Sequence, residues 1–256
     1  TFAVSNERAG VGLEDGNTML IDLDTGKTRT ASTVHKSKTV GVGSGTFALA
    51  FSPDGKNLAS AGRDGMVRVS DVAMGKVTRE FGKHGSWPEA IAYSADGKRI
   101  ATANWGKYAS GTQAVILWDV ASGQKLKVLA KMKQVLGMAF SPNGSLLAIG
   151  NRHGEVTLWS LADDSHQVLR KAGGGYARSV AFLPDGRSLP LGLQRIEVEI
   201  GELTERRRVE RCGGHPGELY AGDIHPAGPQ LASGSAVVTS RPWVRAPPRV
   251  KNLFRA

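Results

Sequence analysis

The stretch Phe51–Lys76, FSPDGKNLASAGRDGMVRVSDVAMGK, decides the fold. An apolar run, FALAFS, leads into Pro53-Asp54-Gly55. Pro presets φ for a turn, Asp bonds back to the backbone, and Gly accepts the left-handed position that closes a hairpin. The second strand is KNLASAG, and Asp64-Gly65 marks a second turn. MVRVSDV is a third strand, AMGK a third turn, and the more polar VTREF a fourth strand.

Outward from this stretch the same spelling returns. YSADGKRIAT begins at Tyr93, FSPNGSLLAI at Phe140, FLPDGRSLPL at Phe182 and IHPAGPQLAS at Ile224, in steps of 42, 47, 42 and 42 residues from Phe51. The longer step reflects an extra stretch, Trp105 to Gln113, in the copy that ends at Trp118-Asp119. A period of about 40–45 residues with four short strands per unit is the pattern of a β-propeller.

Composition agrees. The chain has 256 residues, 33 glycines and 11 prolines, which fits many turns between short strands. Its single cysteine, Cys212, excludes an intrachain disulfide and fits a reducing compartment, so a cytoplasmic location is expected. No apolar run reaches the roughly 20 residues that cross a bilayer as a helix. The chain begins at Thr1 rather than Met and is read as a piece of a longer protein. The formal charge of +10 favours acidic partners.

These units resemble the WD40-repeat family, in the bacterial style of Ser-Pro-Asp-Gly spelling, across about residues 15 to 235. The family's Gly-His pair precedes the first strand, and Trp-Asp ends the third. Trp118-Asp119 is an intact Trp-Asp, Trp159-Ser160 a near match, and Gly214-His215 an intact Gly-His. His84 and His215 each lie nine residues before their marker. The resemblance implies buried chains of His, Ser or Thr, Asp and Trp, since buried polar groups must be paired. The members here are His84, Thr102 and Trp118; Ser60 and Asp64, with Val42 at the His position; Trp159; and His215 with Ser233. Asp22, Asp71 and Asp119 stand just before turns, where a carboxylate accepts backbone N–H bonds.

The expected architecture is one all-β domain over 1–256, about six units with incomplete ends. Approximate blades are 1–35, 36–82, 83–130, 131–171, 172–212 and 213–240, and 241–256 is a divergent basic tail read as disordered. Residues 1–35 show only the later strands of a blade. A ring left open would expose apolar blade faces.

No nucleophile elbow, metal-ligand spacing or paired carboxylates stand out, so neither a catalytic residue, a metal nor a cofactor is expected. Gly173-Gly174-Gly175 lacks a following helix and is read as a connector. An enzyme of lactonase or hydrolase type would need acids or metal ligands converging on the channel. A decayed propeller fragment without a binding role is a further alternative.

In propellers of this type, loops joining strands two and three and loops joining successive blades share one face. Most of the excess positive charge falls in that set. Trp87, Trp105, Lys107, Tyr108, Lys131, Lys133, Arg152, Tyr176 and Arg178 are its candidate contacts. The function expected is a non-catalytic interaction scaffold that docks an acidic partner protein. Nucleic acid is not favoured, because no recognition helix or RNA-binding signature accompanies the charge.

Overall fold

A computed structural model describes the chain except residues 6, 32–34, 36–43, 83, 85–86, 105–114, 131–133, 174, 194–196, 204–206, 214–218, 225–229, 236–239, 247–248 and 253–256. For 31, 130, 197–199, 201–202 and the remaining residues beyond 203, only the backbone is described. The described residues form strands and turns, with no helix.

The strands make six antiparallel sheets of four, each in chain order. The first comprises β1 (Phe2–Val4), β2 (Arg8–Gly12), β3 (Thr18–Asp22) and β4 (Thr28–Ala31). The second holds β5 (Thr46–Phe51), β6 (Asn57–Gly62), β7 (Val67–Asp71) and β8 (Lys76–Phe81). The third holds β9 (Pro88–Tyr93), β10 (Arg99–Asn104), β11 (Val115–Asp119) and β12 (Lys125–Ala130). The fourth is β13 (Val135–Phe140), β14 (Leu146–Asn151), β15 (Val156–Ser160) and β16 (His166–Arg170). The fifth is β17 (Ala177–Val180), β18 (Ser188–Leu193), β19 (Glu197–Glu202) and β20 (Arg207–Gly213). The sixth is β21 (Leu219–Ile224), β22 (Gln230–Ser235), β23 (Ser240–Ala246) and β24 (Arg249–Asn252). Contacts divide the chain into two compact units, Thr1–Val135 and Leu136–Ala256.

The repeated hairpin explains the regularity. Ser52 Oγ donates to Asp54 Oδ1 at 2.6 Å and accepts from Asn57 N at 2.9 Å, while Lys56 N donates to Asp54 Oδ1 at 3.1 Å. Gly55 closes the turn at φ 68°. Ser94, Asp96 and Gly97 repeat this geometry, as do Ser141, Asn143 and Gly144. The Ser94 hydroxyl, followed by the Lys98 amide, holds the Asp96 carboxyl below the usual carboxylate range.

The second strand of each of the middle sheets is sealed on both faces. β6, β10 and β14 are buried from their second residue onward, and β18 throughout. In the first unit, Leu20, Leu49, Leu58 and Val72 join the first two sheets. Val67, Val69, Phe81, Ile100, Ile116 and Trp118 join the second and third. In the second unit, Ala148, Val156, Val180, Leu189 and Leu191 join the fourth and fifth.

Two expectations about the ends are corrected. Phe2–Gly12 supplies β1 and β2, so the first sheet has four strands, although β1 leaves Phe2 54% and Val4 45% exposed. The stretch expected as a disordered tail contributes β23 and β24. Its basic, proline-rich composition reads as disorder, yet Trp243 follows Ile224 at the spacing by which Trp159 follows Phe140. The pairings Leu147↔Trp159 and Leu231↔Trp243 are equivalent. Pro242 pairs only toward β22, because the β24 ladder runs from Trp243 to Ala246. A proline is tolerated where one side of the strand needs no donor.

Replacing Ile100, which is fully buried, by Ala is expected to cost about 2–5 kcal/mol of unfolding free energy. Leu126→Ala, on an edge strand and 52% exposed, is expected to change it by less than about 0.5 kcal/mol. Urea denaturation of the two variants checks the difference.

Candidate protein-interaction surface

A hydroxyl on a doubly buried strand must be paired. Thr102 on β10 accepts the indole N–H of Trp118 at 2.7 Å. It also hydrogen-bonds Nε2 of His84, whose second ring nitrogen is Nδ1. That Nδ1 is buried and has no partner among the described atoms. Burial, followed by the charge of Lys125, pushes the His84 pKa down to about 4. Lys125 lies over the Trp118 ring, its Nζ 5.6 Å from the centroid.

The second sheet builds the same device from other members. Ser60 on β6 bonds Nε2 of His35 at 2.9 Å, and Nδ1 of His35 bonds Asp64 at 2.8 Å. Arg68 Nη1 donates to Asp64 Oδ2 at 2.6 Å, and its Nε to Glu80 at 2.7 Å. Burial opposes ionisation of Asp64, but the hydrogen bonds from His35 and Arg68 outweigh it and hold the carboxyl below the usual range. His35 is fully buried, so it, and not Val42, pairs Ser60; Val42 lies outside the described residues.

The offset explains why sequence reasoning missed His35. Counting back from Phe51 by the interval that separates His84 from Tyr93 ends at Val42, inside a connection that is longer in this copy. Counting forward from the preceding turn glycine succeeds. The interval from Gly16 to His35 equals that from Gly65 to His84 and that from Gly154 to Gly173. The amides of His35 and His84 donate to the Gly16 and Gly65 carbonyls at 2.9 Å, and Gly173 N donates to His153 O at 2.9 Å. Each bond stitches the turn after the second strand to the connection between blades.

Aromatic and arginine side chains ride on these stitched loops. In the first unit, the Arg63 guanidinium lies 4.6 Å from the Trp87 ring centroid, and Phe47 packs against the same indole at 6.1 Å. In the second unit, Arg152 stands 5.1 Å and Arg178 5.2 Å from the centroid of Tyr176. Arg152 Nη2 also donates to the Tyr176 hydroxyl at 3.2 Å. Arg170 Nη1 donates to the Gly154 and Gly173 carbonyls, bracing both loops. Arg63 follows Phe51 at the offset by which Arg152 follows Phe140. Trp87 likewise precedes Tyr93 at the offset by which Tyr176 precedes Phe182. Sequence reasoning placed these residues in one loop set without pairing them; the shared offsets were the available signal. Contacts of this kind are worth about 0.5–2 kcal/mol and hold a guanidinium in place.

Trp105, Lys107, Tyr108, Lys131, Lys133 and His215 lie outside the described residues. Ser233 stands on β22 opposite Gly222 and Arg241. Trp159 keeps its strand position but stacks flat on His166 at 4.9 Å, and its indole N–H has no partner among the described atoms. Asp22, Asp71 and Asp119 accept the amides of Thr25, Met74 and Ser122 at 2.8, 2.6 and 2.7 Å. The Thr25 and Ser122 hydroxyls are the largest reason that Asp22 and Asp119 have lowered pKa values. On the other loop set of the first unit, Ser52, Asp54, Tyr93, Asp96 and Val120 line a cavity of about 340 Å³. Among the described residues, no three His, Cys, Asp or Glu side chains form a group that could hold a metal ion.

Comparison with known proteins agrees with this architecture. The model of the WD domain, G-beta repeat matches residues 33–71 and 123–160. The chain is 24% identical over 194 residues to the serine-threonine kinase receptor-associated protein of Gallus gallus, covering 75% of this chain and 53% of that protein. It is 32% identical over 124 residues to Protein groucho of Drosophila melanogaster, covering 48% of this chain and 16% of that protein. A chain in the crystal structure of the Mitotic Checkpoint Complex superposes with a TM-score of 0.80 at 16% identity, covering 99% of this chain and 75% of that chain. The fold is thus a β-propeller of four-stranded blades. The chain carries WD-domain repeats over residues 33–71 and 123–160, and it spans about half the length of the kinase receptor-associated relative.

The His84 geometry fixes a pH dependence. Its folded pKa of about 4 lies below the 6.5 of an unfolded histidine, so the unfolded chain takes up the proton first. The stabilisation is fully present above pH 6.5 and is lost as pH falls toward 4, by about 3 kcal/mol. In His84→Gln, which keeps a partner for Thr102, this part of the slope disappears. Denaturant titrations at pH 7, 5.5 and 4.5 measure it, and parallel slopes in both proteins would contradict the assignment.

Proposed function

We propose that this chain is a non-catalytic interaction scaffold whose basic, aromatic loops dock an acidic segment of a partner protein. The observation that carries the reading is the arginine held on an aromatic ring at equivalent positions of two repeats, Arg63 on Trp87 and Arg152 on Tyr176. Aromatic residues and arginine are the side chains that anchor interfaces most often. A positive field steers acidic partners and speeds encounter. The stitched turns supply rigidity, which lowers the ordering cost of binding. The relatives agree in kind. One is named for association with a kinase receptor, and the solved neighbour is part of a complex. Lys107 and Lys131 belong to the same loop set by sequence.

Fluorescence anisotropy with two labelled peptides, one rich in Asp and Glu and one rich in Lys and Arg, tests the reading. The acidic peptide is expected to bind and to weaken as salt rises from 50 to 300 mM. Changing Arg63, Lys107 and Lys131 together to Glu is expected to weaken it about tenfold or more, while the melting temperature falls by only a few degrees through loss of the Arg63 contact with Trp87. Lys56→Glu with Lys98→Glu, on the other loop set, is expected to leave binding as it was. Equal affinity for the two peptides would overturn the proposal.

A further inference from the structure

We propose that the cavity lined by Asp54, Tyr93 and Asp96 in the first unit binds a primary ammonium group carried on an alkyl stem. The cavity measures about 340 Å³, a size typical of small-ligand sites. It lies in the other loop set from the docking loops, so the two proposals fail separately. The two hairpins that frame it touch: a carbon built on Gly97 would meet Pro53 Cδ at 3.6 Å.

Three features of the lining select the ligand. The first is charge. Asp54 and Asp96 each close their own turn through Oδ1. Among the described residues, Oδ2 of each accepts no hydrogen bond and neither carboxylate enters an ion pair. The Ser52 hydroxyl, followed by the Lys56 amide, holds Asp54 below the usual carboxylate range, so both acids are ionised at neutral pH. The second is the Tyr93 hydroxyl, which is buried and has no partner among the described atoms. Burial, followed by the charge of Asp54, pushes its pKa up, so it stays neutral and can accept an N–H. A ligand donor relieves the cost of leaving such a group unpaired. The third is the apolar wall of Pro53, Ala95 and Val120, which suits an alkyl stem, while the tyrosine ring attracts a cation.

The unbonded oxygens are three, two from carboxylates and one from the phenol, and an ammonium has three donors. A hard divalent cation takes six or more oxygens, and no third acid joins Asp54 and Asp96 in a metal-holding group among the described residues.

The second unit repeats the junction without the chemistry. A carbon built on Gly186 would lie 3.8 Å from Pro142 Cδ. Leu203 N donates to Arg187 O as Val120 N does to Lys98 O, at 2.9 Å in both. At the offset that carries Phe51 to Phe140, Asp54 becomes Asn143 and Tyr93 becomes Phe182. Asp185, in the place of Asp96, uses one oxygen for the Arg187 and Ser188 amides and the other for the Ser188 hydroxyl. The comparison also supplies substitutions that the fold accepts. Asn143 closes its turn with the bonds that Asp54 makes, so Asp54→Asn removes the charge and keeps the hairpin.

Isothermal titration of the full chain with butylamine and with butan-1-ol at fixed ionic strength tests the site. Butylamine is expected to bind at about millimolar strength, as suits so small a ligand, and butan-1-ol at least tenfold more weakly. Asp54→Asn, Asp96→Asn and Tyr93→Phe are each expected to weaken butylamine at least threefold, with the melting temperature within a few degrees of the parent. Asn143→Asp in the second unit is expected to leave binding as it was. A nine-residue peptide with one central lysine separates the sources of the ammonium group: tighter binding than butylamine assigns it to a partner lysine, weaker binding to a free amine. No binding of butylamine, equal binding of butan-1-ol, or an affinity that survives the combined Asp54→Asn and Asp96→Asn change overturns the site.

Discussion

A strand buried on both faces can carry a hydroxyl only where another buried group pairs it. Four strands here, β6, β10, β14 and β18, are sealed in this way. Leaving such a hydroxyl unpaired costs about 1–3 kcal/mol. Ser60 and Thr102 meet the constraint with His35 and His84. At the same repeat position β14 has Ile149 and β18 has Leu191, so nothing needs pairing there. In the connection entering the fifth sheet, the position equivalent to His35 and His84 is accordingly Gly173 rather than a histidine. One requirement on the second strand thus decides which blades carry a polar relay and which rely on apolar packing.

A backbone tie shapes the loops. Where a histidine reaches a buried hydroxyl, a backbone bond also ties its connection to the neighbouring turn, and the same tie forms at Gly173 without a histidine. The loop is then a fixed platform with variable side chains. Arg63 on Trp87 and Arg152 on Tyr176 occupy that platform, each half-buried and each ordered by ring stacking. The hairpins at the other ends of the strands are spent on turn closure, with Asp54, Asp96 and Asn143 committed to local bonds. One oxygen of each of these hairpin side chains is thus committed to closing a turn, and the proposed docking of the acidic segment falls to the other loop set.

The sequence was most legible where local chemistry and the repeat coincide. Ser-Pro-Asp-Gly and its variants place the three hairpins described above, because each residue type has a separate job in that turn. The positions of Trp118 and Trp159 could be read in the same way. Legibility failed where a count crossed an extra segment, as for His35, or where composition was read without the period, as for Trp243 in the basic end of the chain. The pairing of Arg63 with Trp87 was illegible for another reason. It joins a turn of one blade to the connection entering the next, and only the common offset from two successive markers announces it. Residues 105–114, the extra stretch of the third blade, lie outside the described residues, so the reading of Trp105, Lys107 and Tyr108 rests on sequence.

The central claim is that, for partner docking, the sheets and hairpins are scaffold and the stitched loops are the binding surface. Hydrogen exchange with and without a saturating acidic peptide tests it most directly. The account predicts slower exchange at residues 62–66 and 84–89 in the first unit and at 151–155 and 171–178 in the second. It predicts no change at the hairpins around 54–57, 96–99 and 143–146. Protection confined to those hairpins, with the loops unaffected, would contradict it.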